Sequence, residues 1–200
     1  MLFPPEIETD RLQFRRLCHE TVDVFDYHEV CSPQEPGIED VTEFLPWDVH
    51  ETVKATADYL DELERKWENG TRAEYVLRPK DGEPGAGKIA GAGGLIVAWE
   101  KRTGHPAIWL RKEFWGRGYS GERADAIIEL AFDRLDLELV AIPVQDGNER
   151  SRRAVEKYVE VHGGQYEGVV RNSAVRPDGT VIDHHRYTIT KSQFTKPQSQ

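Results

Sequence analysis

Chemistry in this 200-residue chain concentrates in Trp115-Gly116-Arg117-Gly118-Tyr119-Ser120-Gly121. Its three glycines fall just ahead of an amphipathic helical pattern. A helix N-terminus leaves its first N–H groups without intrahelical acceptors and carries the positive end of the helix dipole. Glycine-rich backbone at that point is a site for a phosphate-bearing ligand. Asn148-Glu149-Arg150-Ser151 follows one strand-like run later and opens another helix.

Gly116, Gly118 and Gly121 match the dinucleotide fingerprint G-x-G-x-x-G. The surroundings fit it poorly. In a dinucleotide fold the first glycine closes an apolar strand directly, and here Lys112-Glu113-Phe114-Trp115 intervene. The ribose-holding acidic residue should end the next strand, yet Glu138 opens one. No G-x-x-x-x-G-K-[ST] sequence is present, which excludes the common nucleoside-triphosphate loop.

The elements that must hold these residues follow from periodicity. Arg11 to Arg15 alternates as a strand. His19 to Val30 reads as a short helix, and Cys31 to Trp47 as a proline-bearing loop with a helical turn. Asp48 and Glu51 fit a capping box for a helix whose inner stripe is Val53, Ala57, Leu60, Leu63 and Trp67, stopped by Asn69-Gly70. Strands are expected over 73–78, 88–99 and 107–111, with turns at 81–85 and 101–106. Ser120 caps a helix that buries Ala124, Ile127, Ile128, Ala131 and Leu135. A strand over 138–144, a helix over 148–161 and a hairpin of 165–171 with 184–190 around Pro177-Asp178-Gly179 complete the order. Neither repeats nor a dividing linker appear, so one domain over 1–191 is expected, with a frayed polar tail over 192–200.

Composition narrows the class. Hydrophobic residues make up 38% of the chain, which argues against disorder. No apolar run is long enough to span a bilayer, and the N-terminus does not read as a signal peptide. Cys18 and Cys31 form neither a disulfide framework nor a metal spacing and read as reduced thiols, giving an expected cytoplasmic location. His184 and His185 are adjacent on a strand and face opposite sides, so no metal is assigned. The net charge is -10, and residues 19–69 hold fifteen Asp/Glu against three Lys/Arg. That balance argues against nucleic-acid or membrane partners. It fits either solvated helix faces or attraction of a cationic acceptor.

Several stretches, in order, resemble the GNAT superfamily of acyl-CoA-dependent N-acyltransferases, in its RimJ/RimL-like branch. They are Glu8-Thr9-Asp10-Arg11-Leu12, Phe44-Leu45-Pro46-Trp47, Trp109-Leu110 with Glu113-Phe114-Trp115-Gly116-Arg117-Gly118-Tyr119-Ser120, Asn148-x-x-Ser151-Arg152-Arg153 with Glu156-Lys157, Tyr166-Glu167-Gly168-Val169-Val170-Arg171, and Asp183-His184. The resemblance spans about residues 7–190. It implies an α/β (α+β) GNAT fold: a mixed central sheet of about six to seven strands with a splayed parallel pair, flanked by about four helices. It implies acetyl-CoA as co-substrate, an amine as acceptor and direct acetyl transfer, in a protein that dimerises in this branch. Cofactor contacts would come from Trp109, Leu110, Arg111, Gly116, Arg117, Gly118, Tyr119, Ser120, Gly121, Asn148, Ser151 and Arg153, with Arg123 and Arg152 as further phosphate candidates. Pantetheine would lie between strands 107–111 and 139–144.

The catalytic positions depart from the family. Where many members carry a Tyr seven residues after the Asn, this chain has Val155; Tyr158 and Ser151 lie near the same helix face, and Ser151 matches the branch. The family often has a Glu four residues before the Trp-Leu pair, and His105 stands there, with a suitable pKa for a base. Glu43, Phe44 and Trp47 sit where the branch builds its acceptor pocket. The stretch from Lys157 to Glu167 is longer than the family usually shows. Two alternatives accompany this reading: a non-catalytic acyl-CoA-binding module and a dinucleotide-dependent oxidoreductase.

Overall fold

The computed structural model describes residues 1–176 and 178–194. Pro177 of the expected hairpin turn and residues 195–200 of the expected tail lie outside the described residues. The chain forms two compact units, Met1–Ile96 with Ala107–Tyr119, and Val97–Pro106 with Ser120–Gln200.

The first unit is built on strands β1 (Glu6–Glu8), β2 (Leu12–Arg16), β3 (Arg72–Pro79), β4 (Gly91–Ala98) and the later half of β5 (Thr103–Leu110), in that spatial order. β1/β2, β2/β3 and β3/β4 pair antiparallel. Glycine is required in β4, because a Cβ on Gly94 would fall 1.8 Å from the Ala73 carbonyl oxygen. Helix α1 (Val24–Cys31) starts where the Asp23 carboxylate accepts from the N–H groups of Phe25 and Asp26. A short α2 (Ile38–Thr42) forms the helical turn of the following loop. Helix α3 (Val53–Glu68) is capped by Thr52, whose hydroxyl accepts from the Ala55 N–H.

The expected Asp48–Glu51 cap therefore gives way to Thr52. The segment before it is drawn inward instead: His50 is buried, its N–H donates to the Cys31 carbonyl at 2.9 Å, and Trp47 and Val49 pack on the core. Val53 and Ala57, expected in the buried stripe of α3, are only half-buried; the stripe is Thr56, Leu60, Leu63 and Trp67, of which Thr56 was not expected there. These residues join Leu17, Tyr27, Val30, Ile38, Val76 and Trp109 among the buried side chains of this unit.

The second unit contains the early half of β5, β6 (Leu139–Gln145), β8 (Val181–Thr190) and β7 (Gln165–Val175), in that order. β5 and β6 pair parallel at Thr103↔Leu139 and Gly104↔Val140; β6/β8 and β7/β8 are antiparallel. Helix α4 (Tyr119–Glu129) continues into a π-helical turn over Leu130–Arg134, and α5 spans Glu149–Val161. Ala124, Ile127, Ile128, Ala131 and Leu135 are all buried, as the helical period requires.

Among the described residues, eight strands and five α-helices exceed the expected counts by β1 and α2. The turn expected at 101–106 is corrected: β5 begins at Thr103, so His105 and Pro106 belong to a strand. Pro106 lacks the N–H that a central strand normally donates, which is why this stretch reads as a turn in sequence.

Candidate active site

The glycine loop sits on the surface. Gly116 and Gly118 are exposed, with φ of 77° and 81°. That left-handed backbone is available to glycine at little cost. It turns the chain into α4, whose first N–H groups lack intrahelical acceptors. The loop's shape is held by side chains: Arg117 donates to the Pro84 and Glu113 carbonyls at 2.7 and 2.8 Å, and the Tyr119 hydroxyl donates to Glu83 at 2.8 Å. Arg11 donates to the Arg117 carbonyl at 2.9 Å and stacks over the Tyr119 ring. Arg11, just ahead of β2, thus sets a cation beside the loop.

The arginines expected at phosphates separate into different environments. Arg111 makes a two-pronged pair with Glu35, Nε to Oε1 at 2.7 Å and Nη2 to Oε2 at 3.1 Å, and donates to the Ile89 carbonyl. Its guanidinium therefore braces the first unit. Arg123 is 1% exposed and interacts with the buried Tyr158. Arg152 is engaged by Glu149, Glu156 and the Tyr187 hydroxyl. Arg153 is exposed on α5.

Asn148 caps α5: its side-chain oxygen accepts from the Ser151 N–H at 3.0 Å. This leaves the half-buried Ser151 hydroxyl without a protein hydrogen bond among the described residues. Val155 and Tyr158 are buried, and desolvation pushes the Tyr158 phenol up. Tyr158 is therefore a poor substitute for an exposed proton donor.

His105 Nδ1 lies 3.0 Å from the Ala141 carbonyl oxygen. A carbonyl only accepts, so Nδ1 carries the proton and Nε2 of the neutral ring keeps its lone pair. Burial lowers the His105 pKa, favouring that neutral form.

In the first unit an aromatic group forms around Trp109. Trp47 meets it edge-on at 5.5 Å and Tyr27 at 6.4 Å between ring centroids. Trp47 also lies 5.7 Å from His50, which in turn lies 5.3 Å from Tyr59. Phe44 is half-buried and Glu43 exposed. The sequence reading found Trp47 and Trp109 but missed His50 and Tyr59, since helix spacing alone does not show which loop histidine turns inward. Among the described residues no cluster of three or more His, Cys, Asp or Glu forms a metal site, and no helix is long and apolar enough to cross a membrane.

The profile of the GNAT acetyltransferase domain matches residues 11–158. The chain belongs to this family. Solved structures agree in fold. A T. thermophilus protein assigned to the acetyltransferases is 26% identical, with 96% of this chain and 93% of that one covered and a TM-score of 0.73. The ribosomal-protein-S5-alanine acetyltransferase of Vibrio fischeri is 16% identical, with 95% and 98% covered and a TM-score of 0.73. The microcin C7 self-immunity acetyltransferase MccE, solved with acetyl-CoA and AMP, is 15% identical, with 94% and 98% covered and a TM-score of 0.77. No curated protein matches the sequence. The dinucleotide reading loses its support as well. Gly91 lies against Trp109 and Gly93 against Ala107, so β4 and β5 run antiparallel, unlike the parallel unit that leads into a dinucleotide loop.

Proposed function

We propose that this protein transfers an acetyl group from acetyl-CoA directly to a primary amine, as a RimJ/RimL-like N-acetyltransferase. The observation that carries the reading is the exposed left-handed Gly116–Gly118 backbone at the start of α4, beside the Arg11 guanidinium. Main-chain N–H groups there, with those of Tyr119, Ser120 and Gly121, receive the diphosphate of the cofactor. Trp109 and Leu110 line the thioester end, their main chain serving the oxyanion. Trp47, with Phe44 and Glu43, faces the acceptor.

An acceptor that enters as an ammonium loses two protons from nitrogen before the amide is complete. One ends on the departing sulfur and the other in solvent. His105 Nε2 takes the proton that leaves nitrogen in the tetrahedral intermediate, and the Ser151 hydroxyl serves the thiolate. Burial of Val155 at the usual tyrosine position favours a second reading, a module that binds acyl-CoA without turnover.

A thermal shift with acetyl-CoA but not NADH supports the cofactor assignment, because a ligand of the native state raises apparent stability. Release of free thiol from acetyl-CoA over a panel of α-amines, lysine side chains and polyamines then separates the two readings. Tight cofactor binding with no transfer to any amine selects the module.

A further inference from the structure

Thr56 is fully buried on α3, and its hydroxyl oxygen lies 3.0 Å from His28 Nδ1 and 3.0 Å from His50 Nδ1. A hydroxyl has one proton to give. Helical threonines often give it to the carbonyl four residues back, as Thr42 does to Ile38. Among the described residues Thr56 makes no such bond, so its proton goes to one imidazole while the other imidazole donates to its oxygen. Two neutral imidazoles sharing one hydroxyl in this way must be opposite tautomers. His28 is half-exposed on α1, where water favours the Nε2–H form and leaves Nδ1 to accept. His50 must then be the Nδ1–H form, with a lone pair on Nε2.

His50 is the member beside Trp47, on the proposed acceptor side. Its ring neighbours Trp47, which stands against Trp109. Among the described residues Nε2 makes no protein hydrogen bond. The titratable groups around the ring are His28 through Thr56 and Tyr59 on α3, with Cys31 on α1 giving its carbonyl to the His50 N–H. Burial pushes the Cys31 thiol up to about 12 and the Tyr59 phenol well above its ordinary range, so both stay neutral. Neither competes as a base at neutral pH.

We infer that Thr56, oriented by His28, holds His50 as a base whose Nε2 takes the first proton from the acceptor ammonium. The inference rests on the acetyl-transfer reading. In this step the ammonium N–H bond breaks and an Nε2–H bond forms. The amine keeps the electron pair that attacks the thioester, and the proton later passes from Nε2 to water. Burial and the neighbouring His28 both disfavour a charged His50, so the proton is held only briefly. An α-amine, with a reference pKa near ~8, needs this help only below that pH.

The tautomers are read by ¹⁵N–¹H correlation spectra of the histidine rings at neutral pH, without turnover. Expected are a His50 ring protonated at Nδ1 and a His28 ring protonated at Nε2, with the His50 assignment lost in Thr56→Val and kept in Thr56→Ser. A His50 ring protonated at Nε2 overturns the inference. In activity on an α-amine, His50→Gln and Thr56→Val should lower kcat/KM by up to about 30-fold at pH 6.5, where only about 3% of an amine with a pKa near ~8 is already free. The deficit should vanish above the acceptor's own pKa, and Thr56→Ser should rescue it. A deficit of equal size at every pH marks a packing defect and overturns the base role. Wild-type protein that binds acetyl-CoA yet acetylates no amine overturns the acetyl-transfer reading and the base role together, while the spectra still decide the tautomers.

Discussion

Trp47 stands edge-on to Trp109, with ring centroids 5.5 Å apart and planes at 71°. The contact ties the loop before α3 to the end of β5, and it ties the proposed acceptor side to the proposed thioester end within one unit. Trp47→Ala should raise KM for the amine about 10-fold with little change in acetyl-CoA affinity. It should also cost about 2 kcal/mol of stability, below the range for a fully buried aromatic because Trp47 is only partly buried. Trp47→Phe should restore most of both. Steady-state kinetics with each substrate varied, alongside urea unfolding, separate the two effects.

At Gly118 any side chain must adopt φ near 81°, and a Cβ would stand 3.3 Å from Arg11 Nη2. The backbone penalty is about 1–2 kcal/mol. Gly118→Asp adds a negative charge where the diphosphate is proposed to bind. Its acetyl-CoA affinity should fall at least 10-fold further than that of Gly118→Ala, with both variants folded. Calorimetric titration decides this; equal affinities for the two variants would remove the anion site from the loop.

Glu35 and Arg111 form a mostly buried, two-pronged pair, with side-chain exposures of 7% and 16%. Removing one partner of such a pair costs about 3–5 kcal/mol, and Glu35→Ala falls at the low end because Arg111 Nη1 keeps the more exposed Glu113 at 3.0 Å. Glu35→Ala should therefore lower stability by about 3 kcal/mol. The double change Glu35→Leu with Arg111→Met should recover most of the loss. If Arg111 acts chiefly on the cofactor instead, the double variant will be stable but unable to bind acetyl-CoA.

Burial lowers the pKa of both His50 and His105 in the folded protein. The unfolded chain then binds protons more readily than the native one just below the ordinary histidine value, about 6.5. The resulting stability is intact above that pH and is lost as pH falls from there through the depressed folded values. Urea midpoints should decline between pH 7.5 and 5, and His50→Gln should flatten the decline.

The loop proposed for the cofactor was more legible in sequence than the aromatic group proposed for the acceptor. Gly116 to Gly121 and the Asn148 cap are local signals, set by φ and by hydrogen bonds three residues apart, and the apolar stripe of α4 follows one period. Tertiary burial governed what was missed. Thr52 displaced Asp48 as the cap because Trp47 and His50 were taken into the core. β1 is a three-residue edge strand paired with β2, too short to show a period. Thr56 lay outside the expected stripe of Val53, Ala57, Leu60, Leu63 and Trp67, and the packing of α1 against α3 with the inward turn of the preceding loop brought His28 and His50 to it.

The imidazole of His105 takes the Ala141 carbonyl immediately after the recorded β5–β6 pairs at Thr103 and Gly104. Next comes Pro106, which has no proton to offer, so a side chain supplies a bond the backbone cannot. Replacing His105 by Ala would consequently do two things at once, deleting a titratable nitrogen and removing the side-chain bond to Ala141. Glutamine is the better probe: its amide can still clasp Ala141, and any activity then missing belongs to the lost base rather than to a frayed sheet.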